Sequence, residues 1–183
     1  MNKNLRTVAA ILLVVAGAAA ILWLMGRPLL YPGRLIELWG PEGRKQSQML
    51  FDWYSASHLV HGFLFYAVLH LLARRRKPGE RLLAATLLEA AWELVENSPV
   101  IIDRYREATI ALGYSGDTVL NSVSDIAMMI AGFLIAQRVP VWASVMIVLV
   151  LDLVPLAIIR DNLTLNVWML LAPNEAVRSW QGG

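Results

Sequence analysis

The 183 residues include no cysteine, which excludes disulfides, thiolate nucleophiles and thiolate metal sites and leaves the redox compartment open. Charge is scarce as well. Asp, Glu, Lys and Arg make up 16% of the chain, against about a quarter in an average soluble domain. The formal net charge of +2 is too small, and its basic residues too clustered, to suggest a nucleic-acid partner. Internal repeats, low-complexity tracts and the period-two alternation of a membrane β-barrel are all missing. What remains is apolar: 57% of residues are hydrophobic and the mean hydropathy is +0.54. That composition belongs to a membrane protein whose partners are lipids.

Five apolar stretches are long enough to matter. They are Val8–Met25, Ser57–Leu72, Arg81–Asn97, Asp117–Ala136 and Pro140–Ile159. Each lies near the ~20 residues that cross a hydrocarbon core about 30 Å thick. With no water in lipid to satisfy an open backbone, such segments are helices. The expected fold is therefore all-α, a polytopic membrane bundle of about five spans with interfacial or re-entrant segments, and residues 1–183 form one integral membrane domain. The first stretch follows Lys3 and Arg6 and ends at Trp23 and Arg27. Ala18 and Ala20 would allow signal cleavage, but 18 apolar residues and an interfacial anchor favour an uncleaved helix.

Arg74, Arg75, Arg76, Lys77 and Arg81 crowd one connection. This places it on the cytoplasmic side of the membrane. Arg138 in a second short turn agrees. The N-terminus is then cytoplasmic and the C-terminus periplasmic. The outer connections carry mixed charge, with Glu37, Glu42, Asp52, Asp103 and Glu107 among the basic residues. Two further helices are expected along the outer surface. Ser98-Pro99 reads as an N-cap and first turn of a helix over Val100–Leu112, and Asn174 as the cap of a last helix through Trp180. Leu163 to Ala172 is too short to cross and reads as re-entrant or interfacial.

Ionisable residues in the apolar stretches raise the functional question. At 1.5 Å per residue, His58 and His61 lie ~5 and ~9 Å inside the outer boundary, Glu93 ~6 Å, Glu89 ~13 Å, Asn121 ~6 Å and Asp125 ~12 Å, with Glu96 and Asp117 at the boundary itself. Three helices so bring polar groups to one layer. Glu89, Glu93 and Glu96 follow i, i+4, i+7, flanked by Trp92 and Asn97. Asp117, Asn121 and Ser124 repeat the spacing, with Asp125 at the stripe's edge, and His58 and His61 are i, i+3 neighbours with Tyr54 alongside. An intramembrane charge costs roughly 2.5–3.5 kcal/mol or more and usually marks function. Hydrogen-bonded helix packing is the plainer reading.

The candidate catalytic set is His58, His61, Glu89, Glu93, Glu96, Asp117, Asn121 and Asp125. Imidazole with carboxylate suits general acid–base chemistry or a divalent metal ion. In the metal version His58, His61, Glu93 and Asp125 are the ligands and Glu89 or Glu96 the base, although no HExxH spacing is present. Arg160, Asp161 and Asn166 are candidate substrate-binding residues, because Arg recognises phosphate bidentately; Arg160 and Asp161 read equally as a solvated helix end. Asp152 either joins the cluster or pairs with Arg160. His70 reads as interfacial, and Trp39, Trp53, Trp142, Trp168 and Trp180 as an aromatic belt.

The stretches "WGPEG", "DWYSASHLVHGFLFY", "EAAWELVENSP", "YSGDTVLNSVSDI", "VPVW" and "RDNLTLN" resemble a family of small bacterial inner-membrane proteins of unknown function, the domain of unknown function 2585 type. The resemblance covers about Trp39 to Trp180 and implies a multi-pass plasma-membrane protein without an activity. A shorter likeness connects the chain to VanZ-like membrane proteins, in which a His-bearing and a Glu-bearing helix precede a helix matching Asp117, Asn121 and Gly132.

Three functions are open at this point. One is an enzyme working on a lipid or lipid-linked substrate from the outer leaflet. Another is a proton- or ion-coupled transporter using Glu89, Glu93 and Asp125 as a relay, for which the chain is small and would work as a homo-oligomer. The third is a structural membrane subunit whose polar residues only fix packing.

Overall fold

A computed structural model describes residues 3–31, 36–40, 45–109 and 113–183. Glu42, the rest of the 41–43 portion of "WGPEG", and the 110–112 end of the outer helix lie outside the described residues. Eight helices form among those described: α1 (Lys3–Leu24), α2 (Ser55–Leu72), α3 (Pro78–Glu96), α4 (Pro99–Ala108), α5 (Val119–Ala136), α6 (Val141–Ile159), α7 (Leu163–Leu171) and α8 (Glu175–Gly182). The only β-type pairing among these residues is an isolated bridge between Trp39 and Phe51. The all-α expectation holds, and the five apolar stretches coincide with α1, α2, α3, α5 and α6 to within a few residues.

Four of these helices, α1, α2, α5 and α6, are long and apolar enough to cross a membrane. The fifth, α3, has 19 residues but carries Glu80, Arg81, Glu89, Glu93 and Glu96. It is amphipathic in the inverted sense. Glu89 and Glu93 are completely buried while Leu87 and Leu88 are each 52% exposed, so the polar stripe faces the bundle and the leucines face outward. Ala90 of α3 packs with Ala18 of α1 and Ile126 of α5 in one core, and Ala85 with Met129 and Phe133 in a second. Helix α6 buries only Pro155, leaving an apolar surface along nearly its whole length.

Helices α2 and α5 cross with their backbones in close approach. A Cβ on Gly132 would strike the Leu59 carbonyl and come within 3.2 Å of the Gly62 Cα, and one on Gly62 would sit 2.5 Å from the Phe133 nitrogen. Two backbones approach here because neither residue has a side chain.

Helix ends are closed by the expected residues and by some that were not expected. Ser98 Oγ accepts from Ile101 N at 3.5 Å, and α4 ends at Ala108, with Thr109 as its C-cap. Asn174 Oδ1 accepts from Ala176 N and Val177 N at 2.9 and 3.2 Å. At α5, Thr118 Oγ1 accepts from Asn121 N at 3.2 Å. Val119 and Leu120 donate to the carbonyls of Pro28 and Leu29 at 2.9 and 3.2 Å. The segment following α1 thus satisfies the free amides of the first turn of α5.

Asp152 corrects both alternatives offered for it. Its carboxylate accepts from the Thr164 hydroxyl at 2.8 Å and the Thr164 amide at 3.4 Å, so it anchors the start of α7. Asn162 caps α7 by accepting from Leu165 N at 2.8 Å and is itself buried. His70 pairs its Nδ1 with the Arg81 guanidinium at 3.0 Å, at the end of the bundle opposite the acidic cluster.

Candidate functional site

The three polar stripes meet. Glu89 stands between the two histidines: its Oε1 lies 2.6 Å from His58 Nδ1 and 3.1 Å from His61 Nδ1, with Oε2 also 3.1 Å from the latter. A carboxylate accepts only, so each Nδ1 donates and each Nε2 is left as the free ring nitrogen. The imidazoles meet edge to face with centroids 5.2 Å apart, and His61 stacks on Phe65 at 5.8 Å. From α5, Asp125 Oδ2 approaches His58 Nε2 at 3.8 Å and Asp125 Oδ1 accepts from the Ser55 hydroxyl at 3.3 Å.

Glu93 is the unusual member. It is fully buried, yet neither of its carboxylate oxygens has a hydrogen-bond partner. His58 Nδ1 is 3.5 Å from Oε1, too long and too committed to Glu89 to serve as one. Glu96 is held on one side only: Tyr105 donates to its Oε1 at 3.1 Å, while Oε2 is buried and unpartnered.

Asp117 is positioned by a small scaffold at the mouth of α5. Its amide donates to Asn97 Oδ1 at 2.7 Å, and its carboxylate accepts from Asn97 Nδ2 at 2.8 Å and from the Tyr114 hydroxyl at 2.9 Å. The backbone turns into this arrangement at Gly116, whose φ of +89° suits glycine. Burial raises the Asp117 carboxyl above its ordinary range against the lowering effect of those two donors. Burial likewise pushes the Tyr105 and Tyr114 hydroxyls well up, which keeps them protonated as donors.

The ligand-capable atoms fall into three overlapping groups, His58–His61–Glu89, His58–Glu93–Asp125 and Glu93–Glu96–Asp117, in each of which the atoms lie within 4.8 Å of one another. The four expected ligands His58, His61, Glu93 and Asp125 are not one such group. His61 sits one turn further along α2, on the Glu89 side.

A cavity of about 500 Å³ borders the cluster. Its polar lining includes Asp52, Tyr54, His58, His61, Glu96, Tyr105, Asp117, Asn121 and Asp125. Its apolar lining comes from Phe65 of α2, Leu88, Ala91, Trp92 and Val95 of α3, and Leu163 and Val167 of α7. Leu88, Val95 and Val167 are about half exposed, so the apolar lining reaches the surface of the bundle. No Lys or Arg lines it among the described residues.

The remaining expected residues divide. Asn166 lines the cavity, with its Oδ1 2.9 Å from the Tyr105 hydroxyl. Asn121 lines it too but spends its amide on the Met49 carbonyl at 3.0 Å, a tie to the segment before α2. Arg160 and Asp161 are not in the lining. Arg160 adopts φ +55°, which turns its side chain to the Trp180 ring and carbonyl. Asp161 is buried and accepts from Tyr54 at 2.6 Å, Asn162 N at 2.9 Å and Gln181 at 3.1 Å. Burial raises its carboxyl, partly offset by these donors.

Sequence reading did not single out Tyr105, Tyr114 or Asp52. Asp52 was legible as a cap: its Oδ1 accepts from Tyr54 N and Ser55 N, and Ser55 Oγ from Asp52 N, the reciprocal pattern that opens a helix.

Comparison with known proteins places this site within a shared sequence. The chain is 51% identical over 172 residues to a UPF0314 protein of Sphingopyxis alaskensis, covering 93% of this chain and 92% of that one. It is 51% identical over 175 residues to a UPF0314 protein of Paracoccus denitrificans, covering 94% and 90%. With the UPF0314 protein R03235 of Rhizobium meliloti it shares 49% over 172 residues, covering 93% and 87%. No solved structure matches it. Residues 22–183, which include every side chain of the cluster and the cavity, match the family model described as Protein of unknown function (DUF2585), and the chain belongs to that family.

Proposed function

We propose that the chain is an enzyme of the bacterial inner membrane that acts on a lipid or lipid-linked substrate drawn from the outer leaflet. The observation that carries this reading is the mixed lining of the cavity. A histidine–carboxylate cluster shares it with apolar side chains that reach the surface, a combination that fits a polar head with an attached chain. The basic connection at residues 74–81 supports an orientation with the N-terminus cytoplasmic and the C-terminus periplasmic, in which the cluster lies towards the outer leaflet.

Glu89 supports acid–base chemistry by holding both imidazoles in one tautomer with Nε2 free. His58, Glu93 and Asp125 have the donor set of a divalent cation site. His61, in the cavity wall, is the base that takes the proton of an attacking water or hydroxyl. A cation held by His58, Glu93 and Asp125 would polarise the group under attack.

The test separates action from packing. Replacing Glu93 by Gln and Asp125 by Asn preserves shape while removing two buried acids. The double variant is expected to insert and to be at least as thermally stable as the parent, yet to fail to complement a deletion strain. Full complementation would refute the enzymatic reading and leave a structural network.

A further inference from the structure

We infer that the site holds two divalent cations, with Glu93 as the carboxylate that bridges them. The inference deepens the reading above and rests on its first cation. Glu93 belongs to both of the groups richest in carboxylate, His58–Glu93–Asp125 and Glu93–Glu96–Asp117. It is the only residue the two groups share. One oxygen towards each group is the way a carboxylate bridges two metals.

The buried oxygens without partners support this independently of the clustering. Glu93 Oε1, Glu93 Oε2 and Glu96 Oε2 are enclosed and unbonded, and Glu93 as a residue is 0% exposed. Leaving a buried acceptor unsatisfied costs its full desolvation penalty, and a charged acceptor costs more than a neutral one. One proton shared between Glu93 and a neighbouring carboxylate satisfies at most two of these three atoms. A cation at each group satisfies all three atoms together.

The surrounding hydrogen bonds are those of oriented ligands. Glu89 accepts from His58 Nδ1 and leaves Nε2 for the first cation, Tyr105 fixes Glu96 through its other oxygen, and Asn97 and Tyr114 fix Asp117. Metal-bound histidines and carboxylates are regularly held by such outer partners. The two positions differ in hardness. The first offers imidazole and oxygen, suited to Zn²⁺ or Mn²⁺, and the second offers oxygen only, suited to Mg²⁺ or Mn²⁺.

Charge then names the substrate class. Glu93, Glu96, Asp117 and Asp125 together carry four negative charges when ionised, and no Lys or Arg lines the cavity among the described residues. An anionic head would be repelled. Two divalent cations cancel those four charges and present an electrophilic pair, the arrangement that clamps a phosphoryl group. The head group is therefore phosphate-bearing.

The experiment uses the full chain, purified in detergent, stripped with chelator and reloaded with Mn²⁺. Elemental analysis should give two Mn²⁺ per chain, with a spin-coupled electron paramagnetic resonance spectrum. Glu96→Gln with Asp117→Asn should bind one, with an uncoupled spectrum, and Glu93→Gln should weaken both at least tenfold. Inorganic phosphate should change the spectrum of the two-cation protein. One Mn²⁺ in the parent, unaffected by the Glu96/Asp117 pair, would overturn the bridge and leave the proposed enzyme with a single cation. No bound Mn²⁺ in the parent would overturn both cation positions, while complementation by the Glu93/Asp125 variant tests the enzyme itself. Two cations whose spectrum ignores phosphate would overturn the phosphate-bearing head alone.

Discussion

His58 Nδ1 lies 2.6 Å from Glu89 Oε1, and the same carboxylate meets His61 Nδ1 at 3.1 Å. Glu89 is completely buried and absent from the cavity lining, so it positions the two rings without touching a bound molecule. Glu89→Gln keeps an oxygen for His58 but sets its amide NH2, in place of Oε2, against the His61 Nδ1–H, donor against donor. One ring must turn or change tautomer. Mutating such an outer partner typically costs 10–100-fold in metal affinity or activity. Mn²⁺ affinity should fall by about that factor while the protein stays folded, and Glu89→Asp should recover part of the loss. Titration by calorimetry decides the matter, and unchanged affinity in the Gln variant would remove Glu89 from this role.

The Gly62–Gly132 crossing makes a prediction about the frame. Gly132→Ala places a methyl against the Leu59 carbonyl, backbone that cannot rotate away, so α2 and α5 must separate. Overpacking costs about 1–3 kcal/mol and occasionally more. Because α2 carries the histidines and α5 carries Asp125, the variant should show a lower detergent melting temperature together with weaker cation binding. Gly17→Ala on α1 is the control: a Cβ there meets nothing within 4 Å, and melting should not fall.

The reach of the sequence follows from which interactions are periodic. Helical spacing exposed the Glu89–Glu93–Glu96 stripe and the His58/His61 pair because a polar face inside an apolar segment is visible at period 3.6. It also placed the polar groups of three helices in one layer, since depth is a count of residues. Pairing was not legible. Both histidines choose Glu89, and Glu93 is left bare, through the rotation of α2 against α3, which no spacing records. Tyr105 and Tyr114 were missed because they lie outside the long apolar stretches, where a tyrosine reads as interfacial. Arg160 and Asp161 part company because one left-handed residue ends α6, and a non-glycine residue in that conformation is not announced by its neighbours.

Topology is open to direct measurement. Reporter fusions after Lys77, Tyr114 and Gly183 should give cytoplasmic, periplasmic and periplasmic signals, from the basic residues Arg74 to Arg81. A periplasmic signal at Lys77 would invert the bundle. The substrate would then come from the inner leaflet with the same chemistry.

Asp161 supplies the pH test, because it stands apart from the proposed cation ligands. Its carboxyl is raised above 3.8, first by burial, with Tyr54, Asn162, Asn166 and Gln181 opposing. In the unfolded chain the group titrates near its ordinary value. Between that value and the raised one the folded protein holds the extra proton, so stability falls as pH increases through this window. Above the window the whole penalty is present, and below it none is. Asp161→Asn keeps an acceptor for Asn162 N and Gln181 and can donate its amide to the Tyr54 oxygen, while it cannot titrate. The melting temperature of the variant should therefore lose the part of the downward slope that begins near pH 4, and should equal or exceed the parent's at pH 7. Parallel slopes in the two proteins would mean that the folded Asp161 titrates as it does in the unfolded chain, with its donors fully offsetting burial.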